Sequence, residues 1–540
     1  MPDPRHRQRV LWSLSVTLLM AVGASAANPD LRLVNAAKDQ DTQQVRTLLS
    51  GHPDVNTPSE DGSTALLWAA HWNDLKTAEL LIRAGANANA ANDFRMTPLA
   101  QACTNGNADL VALLLKAGAN PDTPIGTGET PLMTCARTGN ADAVRMLLVQ
   151  GANANAKEPN QNQTALMWAA AQQHHDVLQI LIEAGADLKA HTKTGFTALH
   201  FAARAGDMES TRTLLGAGVD VNIKSQPYIE NGRGQGPGAT GAGRGAAAPG
   251  RAGSARGGAI VGGGAGARAG TNFAGSTALL VATVRGKVPL ALFLLDHGAD
   301  PNIIEAGFTP LHWAAGTWEN GLANPVYGFV DPIGGIPDRE AKLQLVQALL
   351  AHGANPNLQM TARPPGYGGT GTGGFNDAPG ATAFILAANA ADVEMMRLLL
   401  KAGADPHMVT KTNSNALLAA TALTRGIGEI IDDEGRALEA VKFLLEIGVD
   451  PKAVTTYNEN ALFGPAYRGW NTMIELLIEK GAEVNMVNKA GVTPWLAASG
   501  FGDRLGGVLF NKAGADILLK HGADPKLGHP CQAQNRCRPE

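Results

Sequence analysis

The chain runs to 540 residues with a formal net charge of −4 and 44% hydrophobic side chains. That composition excludes a chain disordered throughout, and the near-balanced charge excludes the strongly basic footprint of a nucleic-acid binder. Glycine is high at 64 residues, but it is concentrated in a few stretches, so its distribution says more than its total.

Arg5, Arg7 and Arg9 form a basic start, an apolar run from Val10 to Val22 follows, and Ala24-Ser25-Ala26 supplies small residues. This is the pattern of a secretory signal cleaved after Ala26. The apolar run is short for a bilayer span, which argues against a retained anchor, and no later segment reaches the roughly 18 apolar residues that a span needs. The expected product is soluble and monomeric, in the periplasm or secreted, with residues 1–26 removed.

From Leu31 onward one phrase returns at a spacing of about 33 residues, in about a dozen units. It reads Thr64-Ala65-Leu66-Leu67-Trp68-Ala69-Ala70, then Thr97-Pro98-Leu99, Thr130-Pro131-Leu132, Thr164-Ala165-Leu166 and Thr197-Ala198-Leu199-His200. Later copies begin at Thr277, Thr309, Thr382 and Thr493, with weaker ones near Asn415 and Asn460. A second phrase follows each first one, as in Leu80-Leu81-Ile82-Arg83-Ala84-Gly85-Ala86-Asn87. The threonine is a helix N-cap, proline beside it fits the first helical position, and the alanine pair leaves a thin face for a neighbouring helix. Leucines at helical spacing form a second helix, which ends at a glycine able to take a left-handed cap. An Asn or Asp then opens a turn to the next unit. One such hairpin cannot bury its apolar face alone, so the units must stack.

These phrases resemble the signatures of the ankyrin-repeat family over nearly everything from Leu31 to about Leu527. The resemblance implies an all-α fold: an ankyrin-repeat solenoid of stacked helix-turn-helix units, joined by β-turns and carrying Gly-rich insertions. It implies a binding function, with a protein partner held on the concave face. It also implies that His200 and His312, at the signature histidine, hydrogen-bond between loop and helix.

The array divides into an N-terminal block at 27–225, an insertion at 226–274, a C-terminal block at 275–527 and a tail at 528–540. The insertion is mostly Gly, Ala and Arg, including Arg233, Arg244, Arg251, Arg256 and Arg268, and it has little with which to build a core, so a mobile loop is expected. Shorter insertions fall at 318–338, 361–379 and 424–434. Insertions of this kind mark either a functional face or drift in surface loops.

No motif points to catalysis or a cofactor. Gly366-Tyr367-Gly368-Gly369-Thr370-Gly371 spells a dinucleotide fingerprint, but Pro364-Pro365 and further glycine replace the strand and helix it needs. The Arg/Gly stretch resembles RNA-binding tracts, yet a solvated linker is the expectation for an exported chain. His174-His175 is the one histidine pair beside an acid, Asp176; adjacent helical residues diverge, so no metal is expected. Cys103 and Cys135 lie on the apolar faces of neighbouring units. Packed helices sit about 8–10 Å apart, beyond a bridge of roughly 7 Å between Cα atoms, so both are expected to be buried and unpaired. Cys531 and Cys537 lie close together in the polar tail and are expected to form a local disulfide in an oxidising compartment.

Trp68, Trp168 and Trp313 recur at one position of the first helix and are expected in the core. Trp72, Arg137, Arg204, Arg285, Tyr467 and Arg468 instead fall just past the alanine pair. In the family this end of the first helix lines the concave surface. These residue types carry binding hot spots, and equally they can be plain solvated helix ends. The expected function is therefore an exported scaffold that binds a folded protein. Its rivals are an inhibitor or protector of one exported enzyme, and an enzyme whose site lies in the insertions.

Overall fold

The computed structural model describes residues 30–226, 274–316, 336, 338–362, 379–421, 434–500 and 510–528. The expected signal segment, most of the four insertions, and Cys531 and Cys537 lie outside the described residues. Among those described there are 24 α-helices and no strand. They alternate as a first and a second helix in each unit, and the first helices pack on one another from unit to unit.

Each element follows from its sequence. Thr64, Thr97, Thr130 and Thr164 cap their first helices by accepting from the amides of Leu67, Ala100, Met133 and Met167 at 3.2–3.4 Å. Pro98, Pro131, Pro310 and Pro494 occupy the first helical turn, where a missing N–H leaves nothing unsatisfied. Asp74, Asn107, Asn140 and Asp207 cap the second helices in the same way. A leucine recurs at one register of the second helix: Leu81, Leu114, Leu147, Leu181, Leu214, Leu294, Leu399 and Leu477 are all fully buried. Side chains of that size removed from water each stabilise the stack by about 1.5–3 kcal/mol.

The turn edge is laced by a ladder of side-chain acceptors. Asn56, Asn89, Asp122 and Asn155 accept from the amides of Asn87, Asn120, Asn153 and Asp187 in the following unit at 2.7–2.9 Å. Asn222, Asn302 and Asn357 continue it onto Asp300, Asn355 and Asp405 at 2.7 Å each, and Asn485 onto Asp524 at 2.8 Å. The chain on either side of 227–273 closes directly: the Ser225 amide donates to Ser276 and the Gly275 amide to Ser225, both at 2.8 Å.

Two expectations fail here. Cys103 and Cys135 are not unpaired; they form a disulfide with Cα atoms 4.7 Å apart. The spacing of about 8–10 Å holds for helix axes, whereas small residues at the contact let two backbones approach locally. Trp68 and Trp168 are only half-buried, while Trp313 is buried as expected. The first two are covered on one side by cations, described below.

Candidate partner-binding surface

The first helices end at a common level, and the six singled-out residues all lie there. Trp72 caps the C-terminus of the helix Ala65–His71 and is 42% exposed. Its indole N–H donates to the Lys38 carbonyl at 3.0 Å, which fixes the ring across the joint with the preceding unit. The His71 ring lies edge-on to it at 4.6 Å, and Trp68 lies edge-on to His71 at 5.5 Å. The Lys38 ammonium sits 5.3 Å above the Trp68 ring, a cation–π contact that accounts for its half-burial.

The same device returns along the stack. The Arg137 guanidinium lies 5.8 Å over Trp168 of the next unit and 3.9 Å from Glu129. Arg204 lies 5.0 Å over Phe201, and Arg468 5.5 Å over Trp470. Arg285 is the half-buried C-cap of the helix Ala278–Val284, and Tyr467 is half-buried against the core. Cations at these helix ends also complement the negative end of the helix dipole. The surface thus consists of oriented rings and guanidinium groups, held in place before any partner arrives.

His174 shows how the level is kept. Its Nε2 donates to the Arg137 carbonyl at 3.1 Å, tying one unit's second helix to the previous unit's first. The turn at Gly139 must stay open for it: the residue has φ 77°, and a Cβ there would meet the His174 ring at 2.5 Å. The exposed His175 contacts the neighbouring Asp176, and no group of three metal-ligating side chains occurs among the described residues. No described helix is long and apolar enough to cross a membrane.

His200 and His312 hydrogen-bond between helix and loop. Each Nδ1 accepts from the amide of its capping threonine, Thr197 at 3.2 Å and Thr309 at 3.1 Å. Each Nε2 donates across to the next loop, onto the carbonyls of Ser276 and Leu358 at 2.9 Å. Burial pushes both imidazoles down to about 4, against a smaller upward pull from those carbonyl acceptors.

Two features escaped the sequence. Lys38 and His71 belong to the cluster around Trp72, and only their register, the seventh residue past the cap position, signals it. Phe94 and Tyr457 project from equivalent turn tips, 72% and 53% exposed. Their shared place three residues before the cap is the signal that was available.

A family model for ankyrin repeats in three copies matches residues 33–125 and 132–225. A model for the single ankyrin repeat matches 274–305, 306–360 and 380–411. The chain is an ankyrin-repeat protein. Among solved structures, the ankyrin repeat domain of human ASB11 is 26% identical, covers 36% of this chain and 86% of its own, and superposes with a TM-score of 0.33. A comparison with curated proteins gives no match. Ankyrin repeats are interaction modules, so this ankyrin-repeat chain is a scaffold for protein–protein interaction.

Proposed function

We propose that the protein is exported and holds a folded protein partner, one with an acidic patch, on the concave face formed by the first-helix ends. The observation that carries this is the shared level of Trp72, Arg137, Arg204, Arg285, Tyr467 and Arg468, with Trp72 left 42% exposed on an otherwise fixed ring. Trp, Tyr and Arg dominate interface hot spots, and rings already held in one rotamer lose less entropy on binding. The arginines stacked on aromatic rings present planar donor forks, suited to carboxylates. Export is supported by the basic and apolar start with its small-residue cut after Ala26, and by the Cys103–Cys135 disulfide, a bond at home in an oxidising compartment.

The test uses the mature chain as bait in extracts of its own organism, beside a variant carrying Trp72→Ala and Arg137→Ala. A partner captured in stoichiometric amount by the first and lost from the second supports the proposal. Equal capture by both moves the interface off this face. N-terminal sequencing of the native protein should begin at Ala27; an intact Met1 in the membrane fraction would overturn export.

A further inference from the structure

Cys103 and Cys135 stand where other units carry alanine. The pairs Ala69-Ala70 and Ala169-Ala170 become Ala102-Cys103 and Cys135-Ala136 in the units headed by Thr97 and Thr130. The two cysteines lie on the adjoining first helices Pro98–Thr104 and Pro131–Thr138, both fully buried, and joined across 32 residues of sequence. The other ties between these two units are noncovalent and reversible: beside the apolar packing of their helices, Thr138 Oγ1 donates to the Cys103 carbonyl at 3.1 Å, and Asn140 to the Gly106 carbonyl at 2.7 Å.

In a stack where each unit touches only its neighbours, stability is local. A covalent bond between two adjacent units therefore strengthens that joint and leaves distant joints unchanged. We propose that the Cys103–Cys135 bond is a compartment-dependent lock on the N-terminal block. While the thiols are reduced, the Thr97 and Thr130 units open readily. Once they are oxidised, the pair becomes one cooperative piece, which fixes the platform bearing Arg137. The compartment part rests on the export reading above, because the lock closes only where an oxidant is met.

Closing it removes two electrons and two protons from the two thiols. They pass to a protein or small-molecule disulfide, whose S–S bond breaks to give two thiols while the Sγ–Sγ bond forms. Since neither sulfur is exposed, oxidation must precede or accompany docking of the two helices, and reduction must wait for a local opening. The lock is thus shielded from reductant once shut.

Hydrogen exchange followed by mass spectrometry tests this on the full mature chain, oxidised with glutathione disulfide or reduced with dithiothreitol. Reduction should raise the opening equilibrium of amides in 97–150 by roughly a hundredfold, and leave those in 380–411 unchanged. A variant with Cys103→Ala and Cys135→Ala, which restores the alanine of the other units, should exchange like the reduced chain and ignore dithiothreitol. Equal exchange of 97–150 in the oxidised and reduced chains overturns the lock, as does finding both thiols free to alkylation in the native protein. An intact bond in a chain that retains Met1 would overturn export and leave the lock standing.

Discussion

The Asn222 side-chain oxygen accepts a hydrogen bond from the Asp300 amide at 2.7 Å, although 78 residues separate the two along the chain. Asn155 and Asp187 make the same contact at the same distance over 32 residues. The stack therefore continues past 227–273 as though those residues were absent. His200 reinforces the joint from within, with Nε2 on the Ser276 carbonyl at 2.9 Å.

Replacing 227–273 by a short Gly/Ser linker should leave helicity and melting almost unchanged. The Ser225 and Gly275 backbones are already hydrogen-bonded at 2.8 Å, so a few residues close the gap, and a shorter loop costs slightly less entropy to close. Circular dichroism of the two chains checks this. A large loss of helical signal would mean that the segment packs on the repeats.

The ladder breaks at Lys189 and again at two consecutive rungs further on, and around the latter pair the sequence supplies a substitute. His407 and Lys452 stand where Asn or Asp would accept from the next unit. In those same two units the capping threonine is replaced by Asn415 and Asn460. Their amide groups donate forward to the Asp450 and Glu483 carbonyls at 3.1 and 2.7 Å, while Asn415 Oδ1 still caps its helix on Leu418 at 2.9 Å. Asn415→Thr keeps the cap and loses the forward bond, so it should cost about 1 kcal/mol in urea unfolding. Adding Lys452→Asn, which rebuilds a rung onto the unit that follows, should recover part of that loss. Undiminished stability in the Asn415→Thr chain would show that the forward bond carries nothing.

The buried imidazoles give a pH signature. In the unfolded chain these histidines titrate near 6.5, and in the folded one near 4. Between those values the unfolded state binds the extra protons, so stability complete above pH 6.5 drains as the pH falls through the window. Changing His200 and His312 to Met, the residue at the same register in Met133 and Met167, should flatten that part of the stability curve. Denaturant midpoints at about pH 7 and about pH 5, either side of the unfolded-state titration, measure it; an unchanged difference between the two would refute the assignment.

The architecture was legible because it is written in repeated caps and one leucine register. Thr64, Thr97 and Thr130 each announce a helix, and Leu81, Leu114 and Leu147 each announce its packed partner. What failed was inference from average geometry at a single joint. An axis separation typical of packed helices hid the Cys103–Cys135 bond, because alanine-faced helices at this joint bring two Cα atoms to 4.7 Å. The candidate surface was legible as a level along the stack, since Arg137 and Arg204 stand seven residues past their cap positions and Trp72 and Arg468 eight. Its detailed chemistry was not. That Lys38 covers Trp68, and Arg137 covers Trp168, depends on one unit's side chain leaning over the next, which no single repeat records.

The decisive test of the surface is a variant with Trp72→Ala, Arg204→Ala and Arg468→Ala. None of the three is a core side chain, so truncation opens no large cavity. The two arginines should each cost within about 0.5 kcal/mol of stability. Trp72 should cost about 1 kcal/mol, for the bond it donates to Lys38. At a hot spot the same truncations weaken binding by about 2 kcal/mol or more each, roughly a thirtyfold loss in affinity. Calorimetric titration of the captured partner, beside thermal melting of the free protein, separates the two effects. Melting close to wild type with affinity reduced a thousandfold or more is the expected result. Unfolding of the variant would mean that these side chains are structural. Intact folding with full affinity would place the interface elsewhere, and the exposed turn tips at Phe94 and Tyr457 would be the next surface to truncate.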